Sequence, residues 1–252
     1  MLNFEVFVLL NLGCALLWAA FSIAVFFLTP LRRLCPPRTY HWLPLAILWG
    51  MGQGCLYLII PDLSNFATLI NWEESAYSWG GAYPEETTKL AGALIICFLI
   101  PQIRRPWHFA VVGFFVGLGF EIFENIGYGI TAGLADPISD FHGLLYTWAF
   151  RVILGPWFHA LLVAISAYIV GWAFLKVDLS TPLRWLLGFA GWFAAFALHF
   201  VFNYNIIADN SYYIRLALVT LISWVACGFI IWHSFRMRKK ELLDASSNWE
   251  FC

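Results

Sequence analysis

The sequence predicts an all-α fold: a polytopic integral membrane bundle of about seven transmembrane helices, with the N-terminus outside and the C-terminus inside. Three observations carry that reading. Apolar residues make up 62% of the 252 positions and charged residues only 12%, against roughly 45 to 50% and 25% in an ordinary soluble domain. A water-soluble chain of this length has no interior large enough for so much apolar surface. The apolar residues also gather into runs of about 20, the length that crosses a hydrocarbon core about 30 Å thick. Finally, Lys and Arg alternate from loop to loop as the positive-inside bias requires.

The first run, 4–28, follows a start that lacks the basic leader of a cleavable signal and is long enough to span, so a retained first helix is expected. The second covers 42–61. The third, 84–101, opens with Pro84, Glu85 and Glu86 and carries Lys89, and residues 63–71 before it suit a short helix of their own. The remaining runs are 108–132, 148–175, 184–207 and 212–235. Arg32, Arg33 and Arg38 place the first loop inside, and loop 62–83 has no basic residue. Arg104 and Arg105 return the chain to the inside. The fourth loop has none before Arg151, the fifth has Lys176 and Arg184, and the sixth has none before Arg215. Arg236, Arg238, Lys239 and Lys240 then close the alternation. The chain reads as one transmembrane domain, 1–252. Its motif-bearing core is about 80–207, its peripheral helices 1–61 and 212–235, and its cytoplasmic tail 239–252.

A net charge of -1 offers no field for nucleic acid, whereas 14 Trp and 24 Phe suit lipid contact and interfacial belts. Cys14, Cys35, Cys55, Cys97, Cys227 and Cys252 are scattered singly without metal spacing and read as small hydrophobes.

Ionisable groups inside such runs cost at least about 2.5 to 3.5 kcal/mol each, which marks them as candidates for function. Lys89 lies one turn from both Glu85 and Glu86, enough for one internal ion pair with one carboxylate left over. Pro84 followed by acids is also how any helix start is made favourable. In the fourth run Gly113, Gly117, Glu121 and Glu124 share one face, which the small residues turn toward a neighbouring helix. The fifth run carries Arg151 and, two turns on, His159. The sixth carries His199 and Asn203 at i, i+4. At 1.5 Å per residue, Glu124 lies about 20 Å above the inner surface, and the other polar groups fall in the same outer half of the bilayer. His41, His108, His142 and His233 fall at membrane edges or in loops and are left outside the site.

In order and helix placement, Glu85-Glu86-x-x-Lys89, Phe120-x-x-x-Glu124-Asn125, His159 and His199-x-x-x-Asn203 resemble the motif series of the PrsW family of glutamic intramembrane proteases. That family is similar in turn to the CAAX prenyl endopeptidase and Abi superfamily. The resemblance covers about residues 80–207. It implies an intramembrane endopeptidase in which Glu85 activates water and Glu86, paired with Lys89, supports it. Glu124 would share or relay the proton, with Glu121 as the alternative. His199 and Asn203 would hold the substrate carbonyl, and His159 would be a further site histidine. No cofactor and no metal are implied. The implied partner is a transmembrane protein or membrane peptide in the bilayer, and the implied location the cell membrane, plasma or inner.

Two other classes compete. A metal-dependent membrane hydrolase would use glutamates and histidines as ligands, but there is no HExxH and the two site histidines are 40 residues apart. A proton-coupled transporter would also need intramembrane carboxylates, but the sequence shows no inverted repeat.

Overall fold

The computed structural model describes residues 4–53, 63–176, 178–204 and 210–247, and these are helical with no strand among them. The helices are α1 (Phe4–Leu28), α2 (Thr39–Gly52), α3 (Ser64–Leu69), α4 (Tyr83–Leu99), α5 (Pro106–Ala135), α6 (Asp140–Leu154), α7 (Phe158–Leu175), α8 (Thr181–Asn203) and α9 (Asn210–Ser247). The short helix expected over 63–71 is α3. A single π-helical turn, Ser78–Ala82, leads directly into α4.

Among the described residues, five stretches are long and apolar enough to cross a membrane: Phe4–Leu28, Pro106–Ala135, Asp140–Leu175, Thr181–Asn203 and Ser211–Asp244. The α2 and α4 runs, with 14 and 17 helical residues, fall short of that measure. The second expected run continues into residues outside the described set, as do Cys55, Cys252, the last residues of the sixth run and the end of the tail. Cys14, Cys35, Cys97 and Cys227 are free thiols. The last helix does not stop near 235: α9 runs on through the basic residues expected to begin the tail.

The fifth expected run, 148–175, is not one helix. It breaks at residues 155–157, where Trp157 takes a left-handed φ of 56°, so Arg151 ends α6 and His159 begins α7. Gly155 and Pro156 supply the physical reason, since neither sustains a helix interior.

Burial separates an inner pair from an outer ring. The most apolar windows of α5 and of Asp140–Leu175 are each 78% buried, whereas those of α1, α8 and α9 are 22 to 28% buried. The outer helices therefore turn one stripe inward and present the rest to lipid. On α1 that stripe is Phe7, Asn11, Ala15, Trp18, Ser22 and Phe26, recurring every three or four residues.

The inner pair meets backbone to backbone. A Cβ added at Gly113 would lie 2.6 Å from the Val163 carbonyl oxygen, and one at Gly117 would lie 2.4 Å from that of His159. On another side of α5, Gly119 and Gly50 give the same closeness to α2: their added Cβ atoms would meet the Ile47 and Val116 carbonyl oxygens at 2.2 and 2.0 Å. Without a hydrophobic drive between helices in lipid, such contact through small residues is what holds them. It also fixes the height of His159 against Glu121 and Glu124.

Gly117→Ala is expected to lower stability by about 1 to 3 kcal/mol through overpacking against α7. Gly127, which has nothing within 4 Å of an added Cβ, is expected to accept Ala without loss. Unfolding of the two variants in detergent, followed by circular dichroism, checks the contrast, and equal effects would refute the close packing.

Candidate functional site

The cluster is built around the first turn of α4. Pro84 needs no hydrogen-bond partner for its nitrogen, and Glu85 and Glu86 follow it in the first turn of α4. The preceding turn is tied to α8 by Ser78 Oγ, which donates to the Phe200 carbonyl at 2.7 Å. Trp49 Nε1 on α2 donates to the Thr88 carbonyl at 3.2 Å.

Lys89 is fully buried, and its ammonium reaches both carboxylates. Nζ lies 3.1 Å from Glu85 Oε2 and 2.7 Å from Glu86 Oε1. The expected single pair with a carboxylate left over is therefore a three-membered bridge, because positions i-4 and i-3 are both within reach of one long side chain. Nζ donates a third hydrogen bond to His159 Nδ1 at 2.9 Å, and the Phe120 ring covers it with its centroid 3.9 Å away.

These contacts set the imidazole protons. His159 Nδ1 accepts from the ammonium, so Nε2 carries the hydrogen and donates to Glu124 Oε2 at 2.9 Å. Arg151 also donates to Glu124, through Nη2, and to Asn125 Oδ1 through Nε. His199 Nδ1 stands 2.8 Å from Glu86 Oε1 and its Nε2 is 3.2 Å from Asn203 Nδ2. With the amide donating to Nε2, His199 donates to Glu86. The rings of His159 and His199 lie 4.9 Å apart.

Glu85, Glu86, Lys89, Glu124, His159, His199 and Asn203 thus form one network, and Asn125 joins it through Arg151. Glu121 does not. It accepts from Trp18 Nε1 of α1 at 3.0 Å, and its other oxygen is buried without a hydrogen-bond partner among the described residues. The excluded histidines stay outside: His142 pairs with Asp136 at 2.9 Å and His233 with Tyr168 at 2.6 Å.

Sequence reasoning named Arg151 among the ionisable candidates and Phe120 as a motif residue without giving either a role in the site, and it did not name Gly81. Arg151 had a signal, a lone cation in an apolar run. Gly81 had none: a Cβ there would fall 2.9 Å from Asn203 Nδ2 and 3.4 Å from Glu85 Oε1, so its absence keeps a small space open between those two groups.

One oxygen from each of Glu85 and Glu86 and one nitrogen from each of His159 and His199 lie within 4.8 Å of one another, a donor set that suits a divalent ion by type. The 40-residue separation of the histidines is therefore no obstacle, because α7 and α8 pack side by side. The ammonium of Lys89, however, already stands among three of the four donors at hydrogen-bond distance. An ion at 2.0 to 2.3 Å from those atoms would meet that positive charge at contact. With Lys89 in place the residues do not fit a metal.

Fold and cluster together define a helical membrane protein with a largely buried acid–histidine centre. The family model described as PrsW family intramembrane metalloprotease matches residues 38–231, and the chain belongs to that family. It is accordingly a membrane-embedded protease by class. No curated protein and no solved structure gives a significant match.

Lys89→Met, which strands two buried carboxylates, is expected to cost about 3 to 5 kcal/mol, and Lys89→Arg less because the charge remains. Glu86→Gln added to Lys89→Met is expected to recover part of the loss. Thermal unfolding of the three variants in one detergent decides this. Equal losses for Met and Arg would mean that the charge is not what Lys89 supplies.

Proposed function

We propose that the protein is an intramembrane endopeptidase of the glutamic type, hydrolysing a peptide bond of a transmembrane protein or membrane peptide. The observation that carries this reading is the difference between the two adjacent carboxylates. Glu86 is 1% exposed, with Oε1 taken by Lys89 and His199. Glu85 is held by Oε2 alone and is 9% exposed, and its Oε1 borders the space beside Gly81 and Asn203.

A water in that space would lose its proton to Glu85 as its oxygen attacks the scissile carbonyl carbon. Asn203 Nδ2 has a second N–H to donate to the resulting oxyanion, and donors preorganised in a dry site are worth several kcal/mol. Glu85 then returns the proton to the leaving nitrogen as the C–N bond breaks, giving a carboxylic acid and an amine. Glu86 orients His199, and Glu124 with Arg151 fixes His159 so that Lys89 keeps its charge and holds Glu85 in place.

The same reading counts α2 and α4 as membrane spans, giving seven, with the N-terminus outside and the site in the outer half of the cell membrane. It relates the Glu-Glu pair to the CAAX prenyl endopeptidase and Abi superfamily. Membership of a protease family sets the transporter alternative aside.

The family's description supports a second reading, in which Glu85, Glu86, His159 and His199 hold a metal ion once Lys89 has moved. The two readings diverge in solution. On the glutamic reading, purified protein holds no stoichiometric metal and cleavage of a transmembrane peptide survives chelators. Glu85→Gln lowers kcat about 10²- to 10⁴-fold, the range of a general base, while Glu121→Gln is milder than Glu124→Gln. Chelator-sensitive cleavage restored by zinc, with Lys89→Met raising metal content, would establish the metal reading instead.

A further inference from the structure

About 28 Å along α5 from Glu124, at 1.5 Å per residue, the bundle carries a second polar feature. The turn Pro30–Leu34, the start of α5 and the end of α9 form a pocket lined by Arg33, Arg105, His108 and Arg238, with Trp107 and Glu241. One carboxylate faces three guanidinium groups. Arg105 pairs with Glu241 at 3.0 Å, and Arg33 and Arg238 have no ion pair or hydrogen bond among the described residues.

Trp107 also lines a second cavity, which lies in the membrane-crossing part of the bundle on the other side of that ring. Its walls include Phe26 of α1, Ala110 and Phe114 of α5, Ala164 of α7 and Ile231 of α9, and they are apolar almost throughout. Trp157 borders its far end, stacked on Trp18 at 5.0 Å and edge-on to Trp224 at 5.4 Å. Trp224 is 38% exposed and gives this end a lipid-facing side. The volume is about 110 Å³. Cavities near 150 Å³ admit one benzene-sized group, so this one takes a length of single hydrocarbon chain and excludes a helix.

We propose that the two features form one site for an anionic phospholipid, with its phosphate between Arg33 and Arg238 and one acyl chain in the cavity behind Trp107. Guanidinium groups match phosphate oxygens with paired N–H donors, and basic pockets between membrane helices take anionic headgroups. A zwitterionic lipid fills the cavity but brings a cationic group beside its phosphate, so it leaves the net positive charge of the arginines in place. A free anion does the reverse. A molecule with both parts satisfies both, and it bridges α1, α5 and α9 at a distance from the chemistry.

The test titrates full-length protein in neutral detergent with phosphatidylglycerol, phosphatidylcholine and deacylated glycerophosphoglycerol. Binding is read by the fluorescence of the tryptophans lining the site and by native mass spectrometry. One phosphatidylglycerol per chain is expected, bound at least about tenfold tighter than phosphatidylcholine, with the deacylated headgroup not binding. Arg33→Gln/Arg238→Gln is expected to weaken phosphatidylglycerol about thirtyfold, from about 1 kcal/mol per basic residue. Ala164→Phe is expected to block the chain; should it not fold, the deacylated headgroup tests the cavity on unaltered protein. Equal binding of the two lipids, or no loss in the arginine variant, would overturn the proposal. So would tight binding of the deacylated headgroup, which would reduce the site to one for any anion.

Discussion

A single buried ammonium determines how the inner helices are arranged. Lys89 has no access to solvent, and an ammonium taken out of water must find compensation in full or not be there. Two of its partners come from its own helix, but Phe120 belongs to α5 and His159 to α7. Glu86 extends the network to His199 on α8. Four helices are thereby registered against one atom, and the α5–α7 glycine contacts hold that register where lipid supplies no hydrophobic drive.

The second cation works through the break between α6 and α7. Arg151 and His159 are eight residues apart, about 12 Å along an unbroken helix, yet both donate to the same oxygen, Glu124 Oε2. Interrupting the helix at residues 155–157 lets them converge. His159 then joins the two halves of the network, since one ring nitrogen answers the ammonium and the other the Glu124 carboxylate. Neither the break nor Arg151 is separable from the placement of that ring.

Much of this was legible in the sequence. The apolar runs marked the helices, and α1 ends where its run ends. Charged and amide residues inside those runs marked most of the cluster, because burying them in lipid costs too much to be incidental. What was not legible depends on direction in space. Glu121 and Glu124 are three residues apart and equally acidic, and only the positions of Trp18 and Arg151 on other helices separate their roles. The distance of His159 from His199 along the chain says nothing about helices that pack side by side. The break in the fifth run did have a signal, the Gly155-Pro156 dipeptide, but the apolar run continues across it, and hydropathy does not register backbone direction. Gly81 matters for the atom it lacks, and that becomes visible only once Glu85 and Asn203 stand on either side of it.

The placement of three polar residues, Glu121, Glu124 and Asn125, on one of the two most enclosed stretches has a consequence for how the chain enters the membrane. Glu85, Glu86 and Lys89 emerge from the ribosome within five residues of one another and can bridge to one another inside one helix. Glu124 cannot, because its cation is 27 positions later in the chain. At about 5 to 20 residues per second, α5 waits for roughly one to five seconds before α6 brings Arg151. Left alone in lipid for that time, it would bear the full cost of its carboxylates. The cation arrives with the very next helix, so α5 and α6 carry within one hairpin the means to pair Glu124 with Arg151 before the helices that follow have been made.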